Sequence, residues 1–372
     1  MSRRGENIFK RKDGRWEGRY IAARRSDSKP IYRSVYAHSY AECSEKLKRA
    51  KCMNNAAKSV RVKTVKELFG VWLENRKNCI KVTTYSNYLN IFNSYVLPNI
   101  GSYAVEQVSS RTINRLIGDL LEHGGRNNNS LSAKTVHDIM TMMNSVFEYG
   151  RNEYGFSNPC ENVSLPSFDI DEIEVFTDEE TSMIFNAAVR GNSYDLGFAL
   201  CLYTGLRIGE ICALQWKDID IEQRIISVTK TITRITNPYG NKPKTIVVIG
   251  KPKSKKSVRE IPINSSLLRV LGERKALSKE ESYFLTCFSK YSEPRSYSSR
   301  YKTFLKRIGI PYKNFHVLRH TFATECIRKG IDVKTVSEFL GHTSVKITLE
   351  KYVHPDMNSK RRQIEKIYTD DN

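Results

Sequence analysis

The chemistry of this 372-residue chain is concentrated toward one end, where His316, Arg319 and His320 are followed by His342 and then Tyr352. These side-chain types can hold a phosphodiester and attack it. An arginine fork grips phosphate oxygens in two places at once. A histidine carries a proton near neutral pH, and a tyrosine oxygen is a nucleophile able to bond covalently to phosphorus. His316, Arg319 and His320 sit at i, i+3 and i+4, one face of a helix. A second arginine, Arg207, lies far upstream in Thr204-Gly205-Leu206-Arg207-Ile208-Gly209-Glu210. The apolar stripe Ile208, Ile211, Cys212, Leu214 after it predicts that Arg207 opens a helix, where backbone N–H groups also favour an anion. The run from Lys251 to Arg259 contains Lys251, Lys253, Lys255 and Lys256. It is expected at the tip of a hairpin, where one lysine could give a proton to a leaving oxygen. His316 and His320 also form a His-x-x-x-His pair, a zinc spacing. The metallopeptidase form needs Glu at the second position, and Val317 stands there. Neither a metal nor any other cofactor is expected.

The elements that must position these groups fall into three segments. Residues 1–60 carry two strand patterns, Trp16–Ile21 and Ile31–Tyr36, and a short one at Asn7–Lys10 leads into the turn Lys12-Asp13-Gly14-Arg15. Ser39 and Glu42 then open a helix through Ala50. Trp16, Tyr20 and Tyr36 are expected mostly in the core, with the intervening Arg and Lys on the opposite face. Residues 62–165 read as four helices, with stripes beginning at Thr64, Thr83, Ile113 and Val136. Leu97-Pro98-Asn99-Ile100-Gly101 closes the second stripe, and Pro166 to Glu174 reads as a linker. Residues 175–372 are mixed: a helix opened by Thr177, one strand from Ile225 through Thr233, a turn at Asn237–Gly240, strands at Thr245–Ile249 and Val258–Ile263, then helices. Residues Asn358–Tyr368 carry Ile364 and Ile367 among Lys and Arg, a short helix with a narrow apolar stripe.

The formal net charge of +21 points to a polyanion, most simply nucleic acid. The charge is uneven. Residues 1–60 hold 16 Lys/Arg against 6 Asp/Glu, residues 62–165 hold 10 against 9, and residues 166–372 hold 34 against 25. The eight cysteines include no Cys-x-x-Cys pair and read as small buried thiols of a reducing compartment. No apolar run approaches the roughly 18 residues that span a bilayer, and the first residues lack the apolar core of a signal peptide. A cytoplasmic protein with no membrane partner is expected.

Taken in order, these motifs closely resemble the tyrosine recombinases of the phage and conjugative-transposon integrase type. The pieces that match are Thr204–Glu210, the lysine segment ending in Arg259-Glu260-Ile261-Pro262, His316-x-x-Arg319-His320-Thr321-Phe322-Ala323-Thr324, Leu340-Gly341-His342, and Thr348–His354. The resemblance implies a multidomain, mainly α chain with small β-sheets. It would comprise an N-terminal domain for arm-site DNA over 1–60, a helical core-binding domain over 62–165, and a mixed α/β catalytic domain over 175–372 with a C-terminal tail. By the same resemblance Arg207 and Arg319 would hold the scissile phosphate, and Lys253 would protonate the leaving 5′ oxygen. His316 would act in proton transfer, His342 would hydrogen-bond the phosphate, and Tyr352 would be the nucleophile that leaves a 3′-phosphotyrosine. No other tyrosine lies between His342 and Tyr352. Implied partners are double-stranded DNA at core and arm sites and three further copies of the chain in a tetramer, with an excisionase or a host DNA-bending protein as auxiliaries. The tail would dock on the adjacent protomer. A type IB topoisomerase and a non-catalytic DNA-binding protein are the competing expectations. The nucleophile argues against the second, and an arm-site module is of no use to the first.

Overall fold

Local capping and apolar stripes account for most of the helices in the computed structural model, which describes residues 7–24, 30–59, 62–125, 127, 129–168, 173–240, 242–252, 255–353 and 357–365. The chain divides into two compact units, residues 1–169 with 238–240, and residues 170–237 with 241–372.

In the first unit, β1 (Ile8–Lys10), β2 (Trp16–Arg24) and β3 (Pro30–Ala37) form an antiparallel sheet in that order. Helix α1 (Tyr40–Ser59) covers one face. Ile8, Ala37, Cys43 and Leu47 make its small core, with Trp16, Tyr20 and Val35 packed against them. Tyr36 departs from the expectation that it is core. Trp16 pairs with Ala37, so Tyr36 falls opposite Glu17 on the other face. There it is 41% exposed, with the Arg11 and Arg15 guanidiniums over its ring.

A second core in this unit gathers α2 (Val65–Arg76), α3 (Val82–Ile91), α4 (Leu97–Ile100), α5 (Ser110–His123) and α6 (Ala133–Tyr154). Thr64 and Glu67 make the reciprocal cap that opens α2. Gly155, at φ +79, closes α6 in the left-handed conformation. The second stripe ends within Leu97–Gly101, as expected, with Gly101 as the C-cap. A π-helical turn at Phe92–Val96 joins α3 to α4, and Pro98 sits in the first turn of α4, where its missing N–H costs nothing. The helical path therefore runs on to Ile100.

The second unit opens with α7 (Asp178–Arg190), capped by Thr177 and Glu180, followed by α8 (Ser193–Thr204) and α9 (Ile208–Ala213). Then come β4 (Ile219–Asp220), β5 (Ile225–Val228), β6 (Thr231–Thr236), β7 (Thr245–Gly250) and β8 (Arg259–Pro262). Helices α10 (Ser265–Ala276), α11 (Pro294–Arg307), α12 (His316–Arg328), α13 (Val333–Leu340), α14 (Val345–Tyr352) and α15 (Met357–Glu365) complete it. Phe198, Trp216, Phe284, Tyr297, Tyr301 and Phe304 are the bulky residues of its core.

The strands correct two expectations. The run from Ile225 to Thr233 is broken at Thr229-Lys230 into β5 and β6, and these belong to different sheets, β4-β5-β8 and β6-β7. The lysine segment is not a hairpin tip. Val228 pairs with Arg259 and Thr231 with Gly250, so residues 251–258 bulge from one side of a long hairpin, opposite a two-residue gap. The tip itself is at Asn237–Lys244. Uneven spacing between paired strands forces such a bulge, and apolar alternation does not reveal it. Among the described residues, no helix is long and apolar enough to cross a membrane.

Candidate active site

Arg207, at the N-cap of α9, follows Gly205, which ends α8 at φ +65. A Cβ at Gly205 would lie 2.7 Å from Phe322 and 2.9 Å from Leu340, so close approach adds to the backbone requirement. Glu210, 3% exposed, organises the arginines. It accepts the Arg207 backbone N–H at 2.9 Å and Nη1 at 2.8 Å. It also accepts Arg259 Nη1 and Nη2 at 3.1 and 3.0 Å. Burial pushes the Glu210 carboxyl up, but Arg259 and Arg207 outweigh it and the net shift is downward. Arg259 Nε donates to the Phe339 carbonyl at 2.5 Å, tying β8 to α13.

Asn314 Oδ1 accepts the His316 backbone N–H at 3.0 Å and fixes the start of α12. Arg319, one turn on, is 2% exposed and spans two chain turns, donating to the Gly205 and Leu340 carbonyls at 2.7 Å each. Burial, then repulsion from Arg207, lowers it to about 9, so its charge is held under electrostatic stress that an arriving anion would relieve. Arg207 and Arg259 thus share one carboxylate, and Arg319 lies close enough to feel its charge.

Gly341, at φ +62, ends α13, and a Cβ there would stand 3.1 Å from both Ser257 Cα and Arg259 Cδ. Ser257 Oγ donates to the Gly341 carbonyl at 3.3 Å, so the far end of the lysine segment is seated beside His342. Lys253 itself lies outside the described residues. His342 Nδ1 pairs with Thr348 Oγ1 at 2.8 Å, leaving its Nε2 edge for another partner. Burial first, then Arg319, Arg207, Lys351 and Arg259, depress His342 to about 3. Its ring is parallel to that of Tyr352, 6.5 Å away.

Tyr352, at the end of α14, is 7% exposed. Burial raises its phenol above the ordinary value, against the downward pull of Arg319 and Arg207. Its Oη lies 2.7 Å from His320 Nδ1. His320 and His316 meet edge to face with ring centres 4.7 Å apart. Burial, then Lys351 and Arg319, hold His320 at about 4. His316 is exposed; partial desolvation, His320, Arg319, Lys351 and Arg207 still lower it.

Four of the six expected residues, Arg207, Arg319, His342 and Tyr352, therefore lie within one another's electrostatic reach, and His316 stands at their edge. Sequence reasoning assigned no role to Glu210 or Arg259, and named His320 among the chemical groups without assigning it one. His320 was visible as the i+4 neighbour of His316, and Glu210 and Arg259 stood inside the quoted motifs, but their pairing spans 49 residues. A cavity of about 1020 Å³ in this unit opens on the Thr321, Phe322 and Cys326 face of α12, and none of the described site residues lines it. The charged groups lie apart from that cavity.

Comparison with known proteins shows the family. Residues 168–359 match the phage integrase family, and residues 64–121 match the phage integrase N-terminal SAM-like domain. A tyrosine recombinase XerC-like protein of Caldanaerobacter subterraneus subsp. tengcongensis is 32% identical over 329 residues, covering 81% of this chain and 82% of that protein. The ICEBs1 integrase of Bacillus subtilis is 27% identical, with 88% of each chain covered. In fold, the chain is similar to the Tn1549 transposon integrase in complex with a circular intermediate DNA, with a TM-score of 0.68 and 21% identity over 82% of this chain and 99% of that one. It is also similar to the lambda integrase tetramer bound to a Holliday junction, with a TM-score of 0.57 and 15% identity over 94% and 98%. The chain belongs to the phage integrase family of tyrosine recombinases. It is a site-specific DNA recombinase, an enzyme of DNA strand transfer.

Proposed function

We propose that this recombinase cuts and rejoins the ends of a mobile element through Tyr352, in integration and excision. The observation that carries this reading is the partly buried, net-positive cluster of Arg207 and Arg259 on one carboxylate with Arg319 close by, and the nucleophile within their electrostatic reach. Arg207 and Arg319 take the non-bridging oxygens of the scissile phosphate, where negative charge gathers as phosphorus becomes five-coordinate. His342 adds a hydrogen bond from its Nε2 edge, its Nδ1 being engaged by Thr348. Tyr352 Oη bonds to phosphorus as the bond to the 5′ oxygen breaks. Lys253 supplies the proton to that oxygen, and His316 serves proton transfer at the edge of the site. The phosphotyrosine retains the energy of the broken bond, so a 5′-hydroxyl of the partner duplex reverses the step without ATP.

Residues 1–60 serve as the arm-site module, 62–165 as the core-binding domain and 175–372 as the catalytic domain. The exposed aromatic and basic face of the β1–β3 sheet supports the first assignment. Four copies assemble on two duplexes, since strand exchange needs four cuts, and the enzyme works in the cytoplasm where its DNA is. An excisionase or a host DNA-bending protein joins the assembly to set direction. The test is a nicked duplex built from the ends of the element that carries the gene, with adducts resolved under denaturing conditions. Wild type should form a covalent adduct, whereas Tyr352→Phe should bind equally and form none. Adduct formation by the Phe variant would show that another group is the nucleophile.

A further inference from the structure

We infer that His320 is a catalytic residue, the group that receives the phenolic proton of Tyr352 as the oxygen attacks. This rests on the reading of Tyr352 as nucleophile and names the first acceptor of its proton, ahead of the proton transfer given to His316.

The geometry carries the assignment. His320 Nδ1 and Tyr352 Oη are 2.7 Å apart, within the reach a general base needs. The two side chains come from different elements, α12 and α14, so the contact is made by the tertiary fold rather than by chain proximity. Tyr352 is 7% exposed, so its hydroxyl has little access to bulk water and needs an internal acceptor. With the phenol as donor, Nδ1 accepts and the ring proton sits on Nε2. The charged and titratable neighbours of this ring are His316 and Arg319 on its own helix and Lys351 and Tyr352 on α14. Burial with Lys351 and Arg319 keeps the free ring neutral at pH 7, which is the form that can take a proton. A scissile phosphate brings negative charge against the same cations, and so strengthens the ring as a base when it is needed.

The step balances. The O–H bond of Tyr352 breaks as Nδ1–H forms, the Oη–P bond forms as the P–O5′ bond breaks, and His320 becomes an imidazolium. In the reverse step it returns the proton to the departing phenolate. Proton delivery to the 5′ oxygen is a separate event on the other side of phosphorus. His316 meets the acceptor ring edge to face, with ring centres 4.7 Å apart.

The test compares wild type, His320→Ala and His320→Asn in the full chain on the nicked element-end duplex, with adduct formation followed in single turnover. A second duplex carries a 5′-phosphorothiolate, whose sulfur leaves without a proton. Melting temperature and duplex binding are measured for each variant to confirm folding. His320→Ala should form adduct about 100-fold more slowly on both duplexes, because nucleophile activation is required in each. His320→Asn places an amide near the Nδ1 position, able to hold the hydroxyl but unable to take its proton, and should be about as slow as His320→Ala. In free protein labelled with 15N-histidine, His320 Nδ1 should carry the resonance of an unprotonated acceptor. Wild-type speed in the Asn variant would reduce His320 to a positioning residue. A defect confined to the oxygen duplex would move it to the leaving-group side, and a protonated Nδ1 would reverse the hydrogen bond; each of these overturns the assignment. Absence of adduct from the wild-type enzyme itself would instead overturn Tyr352 as nucleophile, and this proposal with it.

Discussion

At the scale of single residues, the site depends on one carboxylate shared by two arginines. Glu210 satisfies Arg207 and Arg259 together from a position 3% exposed. Glu210→Gln replaces two charge-assisted contacts with one acceptor and an amide donor facing a guanidinium. Breaking a buried pair in this way costs roughly 3–5 kcal/mol, and adduct formation should fall by about 100-fold or more as Arg207 loses its alignment. Urea unfolding and single-turnover cleavage would measure the two effects; a variant as stable and as active as wild type would remove Glu210 from the site's architecture. A second expectation concerns acid. His320 and His342 are held at about 4 and about 3, below the value near 6.5 that they have in an unfolded chain. On acidification the unfolded chain therefore takes up these protons first, and stability falls from near pH 6.5 toward the folded values. His342→Gln should make that decline shallower by up to one proton in denaturation series between pH 7 and 4. An unchanged slope would mean that His342 is not depressed. These residues were only partly legible in the sequence. Types and spacing along one helix expose His316, Arg319 and His320, whereas the sharing of Glu210 requires β8 to reach α9.

At the scale of elements, the helices were legible because their signals are local. Thr64 with Glu67 and Thr177 with Glu180 announce α2 and α7, and the structure shows both caps formed. The strands were less so. Which strand pairs with which is decided by partners far apart in sequence, so the split into β5 and β6 and the sideways bulge of residues 251–258 could not be read from alternation. The tail yields a prediction at this scale. Met357 and Ile364, seven residues apart on α15, are 64% and 54% exposed, so this stripe has little cover from its own chain. Ile367 lies outside the described residues. Truncation after His354 should lower tetramer assembly and recombination at least about tenfold, while a single core site is still bound at near wild-type affinity. About 1.4 kcal/mol of lost docking suffices for that factor, less than the burial of one large aliphatic side chain provides. Sedimentation of the synaptic complex would decide it, and normal assembly by the truncated chain would place the tail's role within one protomer.

At the scale of the whole molecule, charge distribution is the governing fact. Of 61 Lys and Arg, 16 lie in the first 60 residues, with only 6 acids beside them. Each phosphate contact adds about 0.9 to the slope of log affinity against log salt. Deleting residues 1–60 should therefore make that slope shallower by about 2 or more on an element-end duplex that includes arm sites. On a bare core duplex, cleavage should persist. Anisotropy titrations across about 50–200 mM salt would show this, and an identical slope in the two chains would mean that the N-terminal charge does not meet DNA. The basic balance was readable from composition alone, but which face of the sheet presents it was not. The Trp16–Ala37 register placed Tyr36 outward with Arg11 and Arg15.

The bulge between β7 and β8 also bears on how such a chain can vary. In a paired strand, inserting one residue turns every later side chain to the wrong face. The ladder stops at Gly250 opposite Thr231 and resumes at Arg259 opposite Val228, so its register past the lysine segment is set by Arg259. Length changes there are uncoupled from register, whereas Arg259, Ser257 and Gly341 anchor the far end. The lysine segment is thus a position where insertions and deletions can be sampled without unravelling the sheet. It is a natural site for a loop-length library in which reach toward the DNA is tuned while the arginine cluster stays fixed.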